Sequence, residues 1–279
     1  MNKIFPAKVL LIGEYTVIHG GDALSIPLQT YYGHWQSGKV IDQRIQRLAI
    51  ELSVHSFIDS TTFLSQANQG LTFESTIPEG YGLGSSGALT AAVYDKFYTQ
   101  AKTDDFSTLR NIFAVIENHF HGKSSGFDPL VSYFNKPIVK KNDHHEILHH
   151  FPGSILKKFY LINSNQPRQM DGIHWFNTQL QASGFRKQIH ALSELNTELI
   201  TKLGALNMEG INDLIQSIST IQFQLLMPLI TEPMKKIWQQ GFIKKDYFMK
   251  LCGKGAGGYY LAYINNPELV IPPDWICIA

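Results

Sequence analysis

The sequence predicts an α+β protein, and three observations carry that prediction. Segments with period-two alternation or dense β-branched and aromatic content open the chain and return in its second half. Between them lie segments whose apolar residues recur at helical spacing. The C-terminal part then runs strand, helices, strand, glycine turn, strand, which puts an antiparallel pair at its end.

Composition sets the outer limits. The 279 residues suffice for one large domain or two ordinary ones, and 44% hydrophobic with 17% charged residues describes a globular chain with a sizeable core. A net charge of +1 gives no overall pull towards nucleic acid or anionic membrane, so any basic site must be local. Cys252 and Cys277 lack metal-ligand spacing and cannot build a disulfide framework, which suits a reducing compartment. Lys3 and Lys8 flank only a short apolar run, unlike a secretory signal, and no stretch approaches the roughly 18 apolar residues of a spanning helix. A cytoplasmic location is the expectation. There is no internal repeat.

Residues 4–12 read as the first strand, and Tyr15-Thr16-Val17-Ile18-His19 as its continuation after Gly13-Glu14. Gly20-Gly21-Asp22 makes a turn into a strand over 23–29. Residues 44–67 have Ile45, Leu48, Leu52 and His55 close to helical spacing and predict one helical span. Residues 71–77 alternate with period two and deliver the chain, as a strand, to a glycine-rich loop.

That loop organises the chain. Residues 77–89 hold Gly80, Gly82, Gly84 and Gly87 with Ser85 and Ser86, and lead into a helix whose Leu89, Ala92, Val93 and Phe97 share one face. A glycine-rich turn at a helix start presents backbone N–H groups at the positive end of the helix dipole, a place that favours phosphate. The plainer alternative is a tight turn capped by Ser85 or Ser86. No Gly-Lys-Ser/Thr ends the loop, which excludes a Walker A loop. Gly82-x-Gly84-x-x-Gly87 imitates a dinucleotide fingerprint, but it comes late, and Asp104 and Asp105 lie in a polar loop rather than at a strand end.

Two carboxylates follow. The helix predicted over 106–121, capped by Ser107 or Thr108, places Glu117 between Phe113 and Phe120 on a partly apolar face. An ionised carboxylate there needs a cation or metal partner, unless it snorkels to the surface. A second loop of small residues, His121-Gly122-Lys123-Ser124-Ser125-Gly126-Phe127-Asp128-Pro129, holds Asp128 before a proline, where an aspartate also serves as a turn starter.

Residues 140–150 are polar and contain His144, His145, His149 and His150, with Asp143 and Glu146 nearby. His145 and His149 have the i, i+4 spacing of a metal clamp, but the run is hydrophilic throughout and reads as a solvated connector. It divides the chain into expected domains 1–150 and 151–279. Beyond it lie a strand over 158–163, helices near 171–183, 185–204, 208–227 and 231–240, and two strands around Gly253-Lys254-Gly255-Ala256-Gly257-Gly258. Six residues is long for a hairpin turn, and a loop packed against a ligand is the alternative.

Three separated stretches, Pro6-Ala7-Lys8-Val9-Leu10-Leu11-Ile12-Gly13-Glu14, Gly82-Leu83-Gly84-Ser85-Ser86-Gly87 and the 253–258 cluster, together resemble the three motifs of the GHMP kinases over nearly the whole chain. Within that family, the run from Lys8 to Gly20 and the loop carrying Asp128 look most like mevalonate kinase, in which a metal-binding glutamate lies eleven positions before the catalytic aspartate. Glu117 and Asp128 have that separation, 128 − 117 = 11. The resemblance implies a two-domain GHMP kinase fold, ribosomal-protein-S5-domain-2-like at the N-terminus and ferredoxin-like at the C-terminus. It also implies ATP and Mg²⁺ as cofactors and transfer of the γ-phosphate to a small-molecule alcohol, mevalonate or a related compound. No nucleic acid or membrane partner is implied, and a homodimer is compatible with it.

Residue by residue, the resemblance puts the triphosphate on Gly80, Gly82, Leu83, Gly84, Ser85, Ser86, Gly87 and Ala88, and Mg²⁺ on Ser86 and Glu117. Asp128 would accept the proton of the acceptor hydroxyl. Lys8 would lower that hydroxyl's pKa or steady the Asp128 carboxylate, and offset charge gathering in the transition state. Glu14, Tyr15 and His19 would wall the acceptor pocket, and Gly253, Gly255 and Ala256 would close the site.

The chain departs from mevalonate kinases in places. Ile12 and Tyr15 stand where histidines are common, Ser132-Tyr133-Phe134-Asn135 stands where paired glycines usually follow the aspartate, and Lys254 and Ala256 interrupt the third motif. Phosphomevalonate kinase is the alternative, with Lys123 or Arg168 as the extra basic residue for a substrate phosphate. Galactokinase and diphosphomevalonate decarboxylase fit less well. A nucleotide-binding regulator without turnover is the alternative outside enzymes, although such a protein would be expected to lose one of Lys8, Ser86, Glu117 and Asp128.

Overall fold

Strand β1 (Ile4–Ile12) and the long strand β2 (Ala23–Ser37) open the chain and run through both of the compact units into which it divides. The computed structural model describes residues 3–122, 124–142, 144–167 and 170–279, without the side chain of His121. One unit comprises residues 1–8, 26–78 and 83–138; the other comprises 9–25, 79–82 and 139–279. In place of the single expected boundary at residue 150, the chain passes between them where β1, β2, the glycine loop and β4 cross over. Among the described residues no helix is long and apolar enough to cross a membrane.

In the first unit, β3 (Leu71–Ser75) pairs antiparallel with the end of β2, in a register that sets Trp35 opposite Phe73. Trp35 meets Phe63, Phe73 and Phe97 edge-on, and Phe63 stacks on Phe97 at 4.1 Å. Gly33 is required here, because a Cβ would fall 2.3 Å from the Phe73 ring. The helical span expected over 44–67 is broken. It forms α1 (Gln43–Glu51) and α2 (Ser60–Asn68), and Asp42 and Asp59 cap the two starts through backbone N–H groups. Helix α3 (Ser85–Phe97) is buried nearly all round by small residues. Helix α4 (Phe106–His121) is capped by Asp105, whose carboxylate accepts from Thr108 N at 2.7 Å, rather than by Ser107 or Thr108. Helix α5 (Phe127–Phe134) follows, with Asp128 and Pro129 in its first turn, where proline's missing N–H costs nothing.

The five-stranded sheet has the order β1-β2-β4-β5, with β3 pairing β2 from outside that path. Strands β4 (Ile138–Lys141) and β5 (His144–Ile147) occupy much of the run expected to be a connector. Among its residues, Asp143 lies outside the described ones. Tyr15 to His19 is likewise no strand. A 3₁₀ turn, Thr16–His19, forms because Thr16 Oγ1 and Val17 N both donate to Gly13 O, and Gly20 ends it in the left-handed region.

The second unit is built on an antiparallel sheet of order β7-β8-β6-β9, with β6 at Phe159–Asn163, β7 at Tyr247–Leu251, β8 at Tyr259–Ile264 and β9 at Ile276–Cys277. Strand β9, two residues paired to Tyr160 and Leu161, has no sequence signal of its own. Helices α6 (Gly172–Gln179), α7 (Ser183–Gly204), α8 (Ile211–Leu225) and α9 (Glu232–Lys244) stand close to where helical spacing places them. The helices reach the sheet and one another through buried polar groups as well as apolar ones. Gln222 of α8 accepts from Leu251 N at 3.0 Å, and Trp238 of α9 donates to Ser219 Oγ at 2.8 Å. This α+β architecture is the one expected.

Candidate active site

The first unit gathers four of the residues singled out in the sequence. Lys8 lies on β1, and its Nζ stands 2.9 Å from Asp128 Oδ2; the lysine is buried, while 38% of the aspartate side chain remains exposed. A buried cation therefore backs a carboxylate whose other side is open. Three contacts fix this pair. Lys8 N donates to Leu83 O at 2.9 Å, tying β1 to the glycine loop, and Ser132 Oγ of α5 donates to Pro6 O at 2.8 Å. Gly84 lies beneath the lysine stem, where a Cβ would fall 2.7 Å from Lys8 Cγ. Gly84 also has φ +76°, so conformation and space both demand glycine there.

Gly84, not Ser85 or Ser86, is the N-cap of α3, and no side chain caps that end. The simple serine-capped turn is thereby excluded. Gly80 and Gly82 also take positive φ, at 78° and 87°. Leu83 and Ala88 are buried and anchor the loop, while Ser85 and Ser86 stay partly exposed at the helix start. The start of α5 is packed against this one: a Cβ on Gly87 would come within 3.1 Å of Asp128 Cβ and Pro129 N. Asp128 thus lies in the first turn of its own helix, where the dipole favours negative charge.

Glu117 of α4 is buried and accepts from Ser86 Oγ at 2.9 Å and from Ser124 Oγ. Burial, and next the charge of Asp128, push its carboxyl above the usual carboxylate range. The Ser124 and Ser86 hydroxyls and the charge of Lys8 pull the other way. Such a carboxylate, beside a second one, is a natural partner for a cation. The donor set fits magnesium, since a serine hydroxyl and a carboxylate are both hard oxygen donors. Among the described residues no three His, Cys, Asp or Glu side chains gather into a metal cage, so a divalent ion here needs further oxygens from phosphate or water. Ser124 received no role from the sequence; its signal was only its place in the small-residue loop before Asp128. Its backbone N donates to Asn118 Oδ1 and its Oγ accepts from Gly126 N, which sets it to face Glu117.

The candidates for the acceptor wall and for the third motif lie in the second unit. Glu14 is buried and pairs with buried Lys250 of β7, whose Nζ also donates to Leu251 O at 2.8 Å. Tyr15 is buried, its ring 4.7 Å from Phe176 and its hydroxyl donating to Lys254 O. His19 is exposed and bonds Asn177 Oδ1 at 3.1 Å. In the 253–258 loop, Gly253, Gly255 and even Ala256 take positive φ, and Ala256 is buried with its N donating to Leu229 O at 2.6 Å. Lys250 was not singled out in the sequence; a lysine inside an apolar strand was its only signal. Lys123 and Arg168, the basic residues considered for a substrate phosphate, lie outside the described residues.

With this geometry in place, likeness to known proteins becomes decisive for the fold. Residues 43–136 match the family model of the GHMP kinases N terminal domain. The mevalonate kinase of Methanococcus jannaschii superposes with a TM-score of 0.67 at 19% identity, over 95% of this chain and 90% of that one. The chain has the GHMP kinase fold. The L. major mevalonate kinase, solved in complex with R-mevalonate, superposes with a TM-score of 0.67 at 16% identity, over 96% of this chain and 88% of that one. The Streptococcus pneumoniae phosphomevalonate kinase shares the GHMP kinase fold at a TM-score of 0.62 and 14% identity, covering 94% and 90%. Comparison with curated proteins finds no match.

Proposed function

We propose that this protein is an ATP-dependent kinase that transfers the γ-phosphate to the hydroxyl of a small molecule, mevalonate, giving 5-phosphomevalonate. One observation carries this reading: the Lys8–Asp128 pair at 2.9 Å and the Ser86–Glu117 pair at 2.9 Å flank the same glycine-capped helix start. Phosphoryl transfer needs little covalent help from a protein; it needs phosphate held, charge offset and the alcohol's proton accepted. The glycine loop and the α3 N-terminus hold the phosphates through backbone N–H groups. Ser86 and Glu117 would hold Mg²⁺, which when bound neutralises phosphate charge. Asp128, exposed on one side, takes the hydroxyl proton at Oδ1 or Oδ2. Lys8, held rigid by its burial, offsets the negative charge that grows beside it.

ADP release with ATP–Mg²⁺ against mevalonate, phosphomevalonate, homoserine and galactose tests the proposal. Turnover on mevalonate alone is the expected result. Turnover on phosphomevalonate instead keeps the machinery and moves the acceptor; inactivity on all four, with nucleotide still bound, favours a regulator.

A further inference from the structure

We infer that Tyr15 is a positioning residue: its hydroxyl, presented by a strained backbone, holds the 253–258 loop against the first arm of the phosphate loop. This rests on the reading of residues 80–88 as the nucleotide site. All the contacts that carry it lie within the second unit, which includes residues 79–82.

Tyr15 has φ 65° and ψ −43°, a strained region that bulky side chains rarely enter. Glycine would adopt it without that cost, so the side chain must contribute something that outweighs the strain. Its ring is buried against Phe176, and its hydroxyl reaches the carbonyl of Lys254, 239 residues away in sequence. The bond leaves no spare room around it. A Cβ on Gly172, the first residue of α6, would fall 2.3 Å from the Tyr15 hydroxyl and 2.7 Å from Lys254 O. The 3₁₀ turn after β1, the α6 start and the glycine loop therefore meet at one hydrogen bond.

From Lys254 the effect runs along the loop. Gly255 lies against Leu229 O and Ala256 N donates to it, Gly257 is pressed on Pro167 O, and Gly258 N donates to Gln166 O at 2.9 Å. Each of these contacts is main-chain to main-chain, so the loop has little freedom once its first carbonyl is fixed. At its far end a Cβ on Gly258 would come 3.0 Å from Tyr81 O, and the Tyr81 and Tyr259 rings lie 5.6 Å apart. Tyr81 stands between Gly80 and Gly82 in the arm that leads into the helix start. The preceding residue of the first motif, Glu14, pairs with Lys250 on the strand that feeds the same loop. Two consecutive residues thus secure β7 and the loop after it.

Two variants break this bond in different ways: Tyr15→Phe removes the hydroxyl, and Gly172→Ala pushes it off the carbonyl. Titration of each with a fluorescent ATP analogue and Mg²⁺ should show affinity weakened roughly tenfold, the scale of one lost hydrogen bond. Turnover of Gly172→Ala at saturating nucleotide should stay within about twofold of wild type. A merely space-filling tyrosine would leave nucleotide affinity unchanged in Tyr15→Phe, which would overturn the inference. Loss of turnover with unchanged affinity would overturn it too. Failure of the wild type itself to bind the analogue would instead remove the reading of the 80–88 loop on which the inference rests.

Discussion

The surroundings of the α3 start and those of β7 use their polar residues in opposite ways. Around the α3 start, Lys8 pairs with Asp128 and Ser86 with Glu117, and the aspartate keeps 38% of its side chain exposed. Around β7, Glu14, Tyr15 and Lys250 are buried and turned inward onto one another and onto backbone carbonyls. On the proposed reading, the first group meets a ligand and the second shapes the loops that do. A partly exposed member in each pair and the identity of the bonding partner separate the two kinds, and sequence spacing does not.

That contrast can be broken by substitution. The largest expected effect is from Lys8→Met, which keeps the buried stem and removes the charge: turnover should fall about 10²–10³-fold with little change in melting temperature. Similar turnover in the variant would move Lys8 to the scaffolding class. Lys250→Met should do the reverse. Leaving Glu14 buried without its cation should cost about 3 kcal/mol in urea unfolding, while nucleotide-dependent turnover of the folded fraction persists. A variant as stable as wild type would show that the pair holds nothing together.

Smaller effects sharpen the same division. Glu117→Gln should raise the Mg²⁺ concentration for half-maximal activity tenfold or more, and an unchanged magnesium dependence would remove Glu117 from the metal shell. Ser124→Ala should raise that concentration only a few-fold, since Ser124 acts by orienting Glu117. An effect equal to that of Glu117→Gln would make the serine a direct ligand.

Much of the fold could be read in advance because strand and helix periods are local. Strands β1, β3, β6, β7 and β8 and helices α4 and α6 to α9 fall close to their expected places. The misreadings have physical causes. Thr16–His19 has strand-like residues, but Gly13 collects two hydrogen bonds and winds it into a turn. Leu52 and His55 continue the helical spacing of α1, yet Asp59 starts a new helix by capping. The polar run around His144 makes strand β5 through backbone pairing, which side-chain pattern does not report. In the site, the spacing of Glu117 and Asp128 was visible because one loop separates them. The roles of Ser124, Lys250 and Gly172 depend on which chain segments meet, and that appears only in three dimensions.

Nucleotide binding and ADP release, measured on the same preparations of wild type and Asp128→Asn with mevalonate as acceptor, test the central claim most directly. If Asp128 takes the acceptor's proton, both proteins bind ATP–Mg²⁺ alike and the variant's turnover falls by about 10²–10⁴-fold. Equal turnover by the two proteins would contradict that role and, with it, the assignment of the Lys8–Asp128 pair as the catalytic centre.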